Sequence, residues 1–202
     1  MTPSPFKPGD ICLVHSVEEL GQLIDRFETS ADTTQIVQKI ISHAAVCVDA
    51  LNLIEAVLPV VKKNPISKYI TDPKNVMVCI RVKSLTDDQR NVVATNAGAF
   101  LGRLYGWNKL ILHLGDNIVS WFARKDVFFF RKLITNQKLP ICSELVADCY
   151  QPVGWTFCGI KPEEVQPMDI FTDFVKRPKE YAVVYCDQTL LPWVNPVGAD
   201  RA

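Results

Sequence analysis

The stretch from Ser42 to Val57 constrains the fold more than any other part of this chain. Ser42-His43-Ala44-Ala45-Val46-Cys47-Val48-Asp49 and Leu53-Ile54-Glu55-Ala56-Val57 are strand-like runs separated only by Ala50, Leu51 and Asn52, which predicts an antiparallel hairpin. Folded about residue 49 or 50, the hairpin brings Glu55 level with His43 or within two residues of it, at most about 7 Å along a strand. A carboxylate in that position orients an imidazole, provided the register puts both on one face. Asp49 shares strand parity with His43, but six residues at about 3.3 Å each place it some 20 Å away. Glu55 is therefore the expected partner of His43.

Other elements extend the sheet and cover it. Pro8-Gly9-Asp10 is turn punctuation before Ile11-Cys12-Leu13-Val14-His15, a short apolar run that reads as a buried strand. A helix is expected over residues 17–27, with Ser16 as its N-cap. Past Pro59 and the basic pair Lys62-Lys63, residues 76–82 predict another strand. Thr86-Asp87-Asp88-Gln89 resembles a capping box, and Val92, Val93, Ala97, Phe100, Leu101 and Leu104 make an apolar helical stripe up to Gly106. Residues 107–133 read as helical and half-buried, forming one wall of a cleft. Short β-like runs are expected at 170–174 and 181–185, and 188–202 reads as a wrapping tail. The arrangement is α+β in one domain, 1–202, with its core at about 8–187.

Leu139-Pro140-Ile141-Cys142-Ser143-Glu144-Leu145-Val146 places a thiol in the first turn of a helix. Pro140 fits just before the helix, Glu144 suits a first turn, and Leu145, Val146, Cys149 and Tyr150 recur at helical spacing until Pro152. Unpaired N–H groups and the positive end of the macrodipole at a helix start favour a thiolate and a developing oxyanion. The competing reading is apolar packing, since 142, 145, 146 and 149 also form one stripe and cysteine is commonly buried. A nucleophilic thiol needs a base, and the chain has three histidines. His15 ends a strand, and His113 lies in an apolar helical run where core packing is the default. His43 alone has a carboxylate, Glu55, folded toward it.

Composition excludes several classes. Lys+Arg and Asp+Glu are equal at 22 each, so no basic footprint for nucleic acid or an anionic membrane appears. No run reaches membrane-spanning length free of charges, and the N-terminus lacks the apolar core of a signal peptide. The expectation is a soluble protein, cytoplasmic or delivered by a phage or secretion apparatus. The seven cysteines are dispersed with no C-x-x-C pair. That pattern reads as a reducing compartment without structural zinc, so no metal or cofactor is expected.

Gly9-Asp10-Ile11, Ser42-His43-Ala44, Ile54-Glu55-Ala56-Val57, Tyr105-Gly106 and Cys142-Ser143-Glu144-Leu145-Val146, in that order, resemble the circularly permuted papain-like hydrolases of the NlpC superfamily, in particular the YiiX-like branch. The resemblance covers residues 8–175. Histidine precedes cysteine here, as permutation implies. It implies an antiparallel sheet packed on the nucleophile-bearing helix, with Cys142 as nucleophile, His43 as general base and acid, and Glu55 as the orienting group. The implied reaction is hydrolysis of an amide or peptide bond, as in a cell-wall-type peptide, through a thioacyl-enzyme. The lecithin:retinol acyltransferase relatives, which act on lipid acyl groups, also place histidine first. They carry asparagine before the cysteine and histidine shortly after it, where this chain has Ile141 and Ser143-Glu144-Leu145. A third reading is a structural or binding protein that keeps the fold with Cys142 merely packed. Tyr105, Trp107 and Trp155 are the expected walls of the substrate pocket.

Overall fold

The computed structural model describes residues 4–16, 41–104, 141–190 and 194. Among them the strands are β1 (Ile11–Ser16), β2 (His43–Cys47), β3 (Asn52–Ala56), β4 (Val61–Pro65), β5 (Asn75–Val82) and β6 (Tyr181–Cys186). The helices are α1 (Ser67–Ile70), α2 (Asp87–Gly98), α3 (Cys142–Tyr150) and α4 (Pro167–Lys176). All six strands join one sheet in the order β4-β3-β2-β1-β5-β6, with every described pairing antiparallel. The α+β class is as expected, and the hairpin forms where its two runs predict it.

The period of two in the strands divides the sheet into two buried faces. Ile11, Leu13, Ala44, Val46, Ile54, Val78 and Ile80 point to one side, where Val93 and Ala97 of α2, Leu145, Val146 and Cys149 of α3 and Ile170, Phe171 and Phe174 of α4 cover them. Each fully buried Leu, Ile, Val or Phe side chain contributes about 1.5–3 kcal/mol, so this layer holds α3 against the sheet. Cys12, Val14, Ala45, Cys47, Leu53, Met77 and Cys79 point the other way and pack with Phe6, Ile66 and Tyr69.

Several details revise the sequence reading. Residues 170–174 are not a β run but the middle of α4, whose buried Ile170, Phe171 and Phe174 follow helical spacing. α2 has the Thr86–Gln89 capping box but ends at Gly98, eight residues before Gly106. Beyond it the chain turns to pair with β4, with Val61 N–H donating to Arg103 C=O at 2.9 Å and Gly102 N–H to Val61 C=O at 3.0 Å. Leu101 and Leu104 are consequently exposed; within α2, Val92 is exposed while Val93 and Ala97 are buried. Of the tail, Leu190 and Val194 are buried in the main core. The helix expected over 17–27 and the segment 107–133 lie outside the described residues.

Gly9 and Asp10 anchor the start of the sheet. Gly9 has φ +76°, and a Cβ there would meet the Arg90 backbone at 3.0–3.1 Å, so both conformation and space require glycine. Its carbonyl accepts from the buried Tyr150 hydroxyl at the far end of α3. The Asp10 carboxylate, fully buried, receives Nε and Nη2 of Arg81 at 2.6 and 2.7 Å, tying β1 to β5.

Candidate active site

α3 begins at Cys142, with Ile141 in extended conformation (φ −92°, ψ 171°) before it. Ile141 N–H donates to the Glu144 carboxylate at 3.4 Å, and the Ser143 hydroxyl donates to Val165 C=O at 2.6 Å. These contacts fix the helix start beside the thiol. The N–H groups of Ser143 and Ala44 both hydrogen-bond its sulfur. Only 5% of Cys142 is exposed.

His43 is the first residue of β2. There its imidazole meets Glu55 on its own face of the sheet and Cys142 from the helix covering the other. Val46 pairs with Ile54 and Cys47 with Leu53, a register that sets Glu55 opposite Ala45 and diagonal to His43. His43 Nε2 lies 2.6 Å from Glu55 Oε2, and the imidazole also hydrogen-bonds the Cys142 thiol, leaving Nδ1 for the sulfur. The three side chains form a line of proton donors and acceptors, Cys142 to His43 to Glu55.

Electrostatics follow from this line. Burial opposes charge on every member. For His43 that penalty is outweighed by the neighbouring Cys142 sulfur and by Glu55, which together push its pKa up to about 10. For Cys142 burial is likewise outweighed, by the charge and hydrogen bond of His43 and by the Ala44 and Ser143 N–H groups, so its pKa is lowered. Glu55, fully buried, is pushed down to about 2 because hydrogen bonds from His43, Tyr69 and Asn64 outweigh its burial. Both shifts favour an imidazolium–thiolate pair backed by a carboxylate.

Three residues without a legible sequence signal complete the carboxylate's shell. Asn64 Nδ2 donates to Glu55 Oε1 at 2.6 Å, Lys68 Nζ to the same oxygen at 3.3 Å, and the Tyr69 hydroxyl donates to Oε2. They arrive on β4, which contains the Lys62-Lys63 pair, and on α1, the single turn that follows it. Val-Lys-Lys-Asn-Pro has no apolar alternation, and its pairing with β3, Glu55 opposite Lys62, is a tertiary fact. Asp49, by contrast, holds the hairpin turn: its carboxylate accepts from the N–H groups of Leu51 and Asn52 at 2.9 and 2.8 Å and from Lys63 Nζ at 3.0 Å.

Of the expected pocket walls, Trp155 is not at the thiol. Trp155 lies beyond the opposite end of α3, its N–H donating to Tyr150 C=O at 3.3 Å, about 12 Å of helix from Cys142. There it stacks edge-on with Tyr181 at 5.6 Å, donates Nε1 to the Tyr181 hydroxyl and carries the Arg177 guanidinium 4.6 Å over its ring. Those partners account for its position. Tyr105, Trp107 and His113 lie outside the described residues. No described helix is long and apolar enough to cross a membrane.

No family model matches this sequence, and no curated protein does. Among solved structures the chain is similar to the metalloprotein yiiX from Escherichia coli O157:H7, of DUF1105, with a TM-score of 0.55 at 17% identity, over 90% of this chain and 97% of that one. At this identity the likeness concerns the fold, which is YiiX-like.

Proposed function

We propose that this protein is a cysteine hydrolase of the permuted papain-like, NlpC type, cleaving an amide or peptide bond through a thioacyl-enzyme. The observation that carries the reading is the line Cys142–His43–Glu55, with a thiol at a helix start, an imidazole bonded to it, and a buried carboxylate 2.6 Å behind the imidazole. The thiolate attacks the carbonyl carbon. N–H groups at the start of α3 stabilise the charge that develops on the carbonyl oxygen. Nδ1 of His43 then gives its proton to the leaving amine, and the neutral imidazole takes a proton from the water that releases the acyl group and regenerates the thiol. Glu55 keeps the ring in place and favours the imidazolium throughout.

The solved neighbour is a metalloprotein, and a metal ion at this relay would need free donor atoms. It does not fit: both Glu55 oxygens are engaged by His43, Tyr69, Asn64 and Lys68, and both His43 nitrogens are taken by Glu55 and Cys142.

Alkylation by iodoacetamide at about pH 6 tests the thiol's activation, with Cys158 as the exposed control. Cys142 should react at least ~10-fold faster than Cys158, and replacing His43 with alanine should remove the advantage. A Cys142 no faster than Cys158 would leave a packed thiol and a binding protein in place of an enzyme.

A further inference from the structure

Three thiols that take no part in the relay converge on the opposite face of the sheet. Cys12 in β1 pairs directly with Cys79 in β5, and Cys47 in β2 lies two residues beyond Ala45, the β2 partner of Cys12. The Cys12 sulfur stands 3.4 Å from that of Cys47 and 3.5 Å from that of Cys79, and all three lie within 4.8 Å of one another. All three side chains are fully buried among Val14, Ala45, Leu53 and Met77. A point equidistant from the corners of such a triangle lies roughly 2.0–2.4 Å from each sulfur, against about 2.3 Å for a zinc–thiolate bond. Among the described residues this is the one group of three or more potential ligands that meets at a point.

We propose that Cys12, Cys47 and Cys79 form a three-thiolate site for a thiophilic divalent cation of the zinc class. The charge balance favours a dication. Three thiolates carry −3, so a bound dication leaves −1. Binding it to three thiols breaks three S–H bonds, forms three metal–sulfur bonds and sends three protons to solvent. A monovalent cation on three thiolates would leave −2 in a dry environment, at a larger desolvation cost. The nearby Asp10 and Arg81 are already paired with each other and add no net charge. Soft thiolate ligands select cations of this kind over magnesium or calcium. Bound there, the ion would clamp β1, β2 and β5, the strands at the centre of the sheet.

The site is independent of the hydrolase reading and can be tested in a chain carrying Cys142→Ala, which removes the relay thiol as a competing ligand. Reduced anaerobically, stripped with chelator and titrated with Cd2+, this chain should saturate at one cadmium with thiolate-to-cadmium charge-transfer absorption. X-ray absorption should count three sulfurs on the metal. Adding Cys79→Ala or Cys12→Ala should weaken binding by at least about tenfold, whereas Cys186→Ala should leave it unchanged. If the cluster variants do not fold, judged by circular dichroism, the sulfur count on the parent chain decides alone. No charge-transfer absorption, fewer than three sulfurs, or undiminished binding in a folded chain lacking all three cysteines would overturn the proposal.

Discussion

Cys142 and Cys149 stand on one helix, on one apolar stripe, and both are buried, yet their acidities move in opposite directions. At the start of α3, backbone N–H groups and the His43 imidazolium outweigh burial and lower the Cys142 pKa. Seven residues on, burial and the charge of Asp148 push the Cys149 thiol up. Composition and burial are the same at the two ends. What differs is which end of the helix dipole each thiol meets and the neighbour that the sheet brings, and those decide which thiol is acidified. The hairpin repeats the lesson with carboxylates: Glu55 and Asp49 are both depressed to about 2, one by a buried imidazole, tyrosine and amide, the other by turn N–H groups and an exposed lysine.

The largest effect should separate the two thiols. Cys142→Ala should lower kcat by at least ~10^3-fold on an amide substrate with the fold intact, and His43→Ala should approach it, because nucleophile and proton carrier act as a unit. Cys149→Ala should keep turnover within about twofold and lose about 1 kcal/mol of stability in urea unfolding. A folded Cys149→Ala chain as inactive as Cys142→Ala would break the comparison.

A smaller effect should separate the carboxylates. Glu55→Gln preserves shape but removes the charge behind the imidazolium, and kcat should fall about 10- to 100-fold. The basic limb of the pH–rate profile, set by His43 at about 10, should move to lower pH, because a group losing an anionic partner deprotonates more readily. A profile identical to that of the unaltered chain would show that a neutral hydrogen-bond acceptor at position 55 serves the ring as well as the charge does.

Acid stability sharpens the same point. The folded pKa of Glu55 lies below its ordinary value of 4.5, at about 2. Its stabilisation is therefore complete above about pH 4.5 and is lost as pH falls toward 2. The full contribution is roughly 3 kcal/mol from a shift of about 2.5 pH units. Urea midpoints should fall through this window in the unaltered chain and fall less in Glu55→Gln. Equal slopes would assign the acid sensitivity elsewhere. The smallest effect belongs to Asp49→Asn: turnover within about twofold, and less than about 1 kcal/mol of stability from weaker turn bonds at an exposed site. A large loss of activity there would mean that the hairpin turn is coupled to the relay.

Local chemistry made much of this protein legible in its residues alone. Alternation and a three-residue connection specified the hairpin, and counting along it put Glu55 beside His43. A thiol followed by an acid and an apolar stripe marked the start of α3, and Thr86 with Gln89 marked the start of α2. Each of these signals is confined to neighbours in sequence, where backbone geometry leaves few alternatives. The failures share a cause as well. Residues 170–174 carry apolar side chains compatible with either period, and packing against the sheet settled them as helix. The stripe continued past Gly98, but pairing with β4 drew the chain away. Trp155 was placed by Tyr181 and Arg177, residues too distant in the chain to enter a local pattern. The Glu55 shell and the Cys12–Cys47–Cys79 cluster depend on which strands lie side by side. Strand order is chosen by the burial of both sheet faces at once, a global free-energy balance that no short spacing encodes.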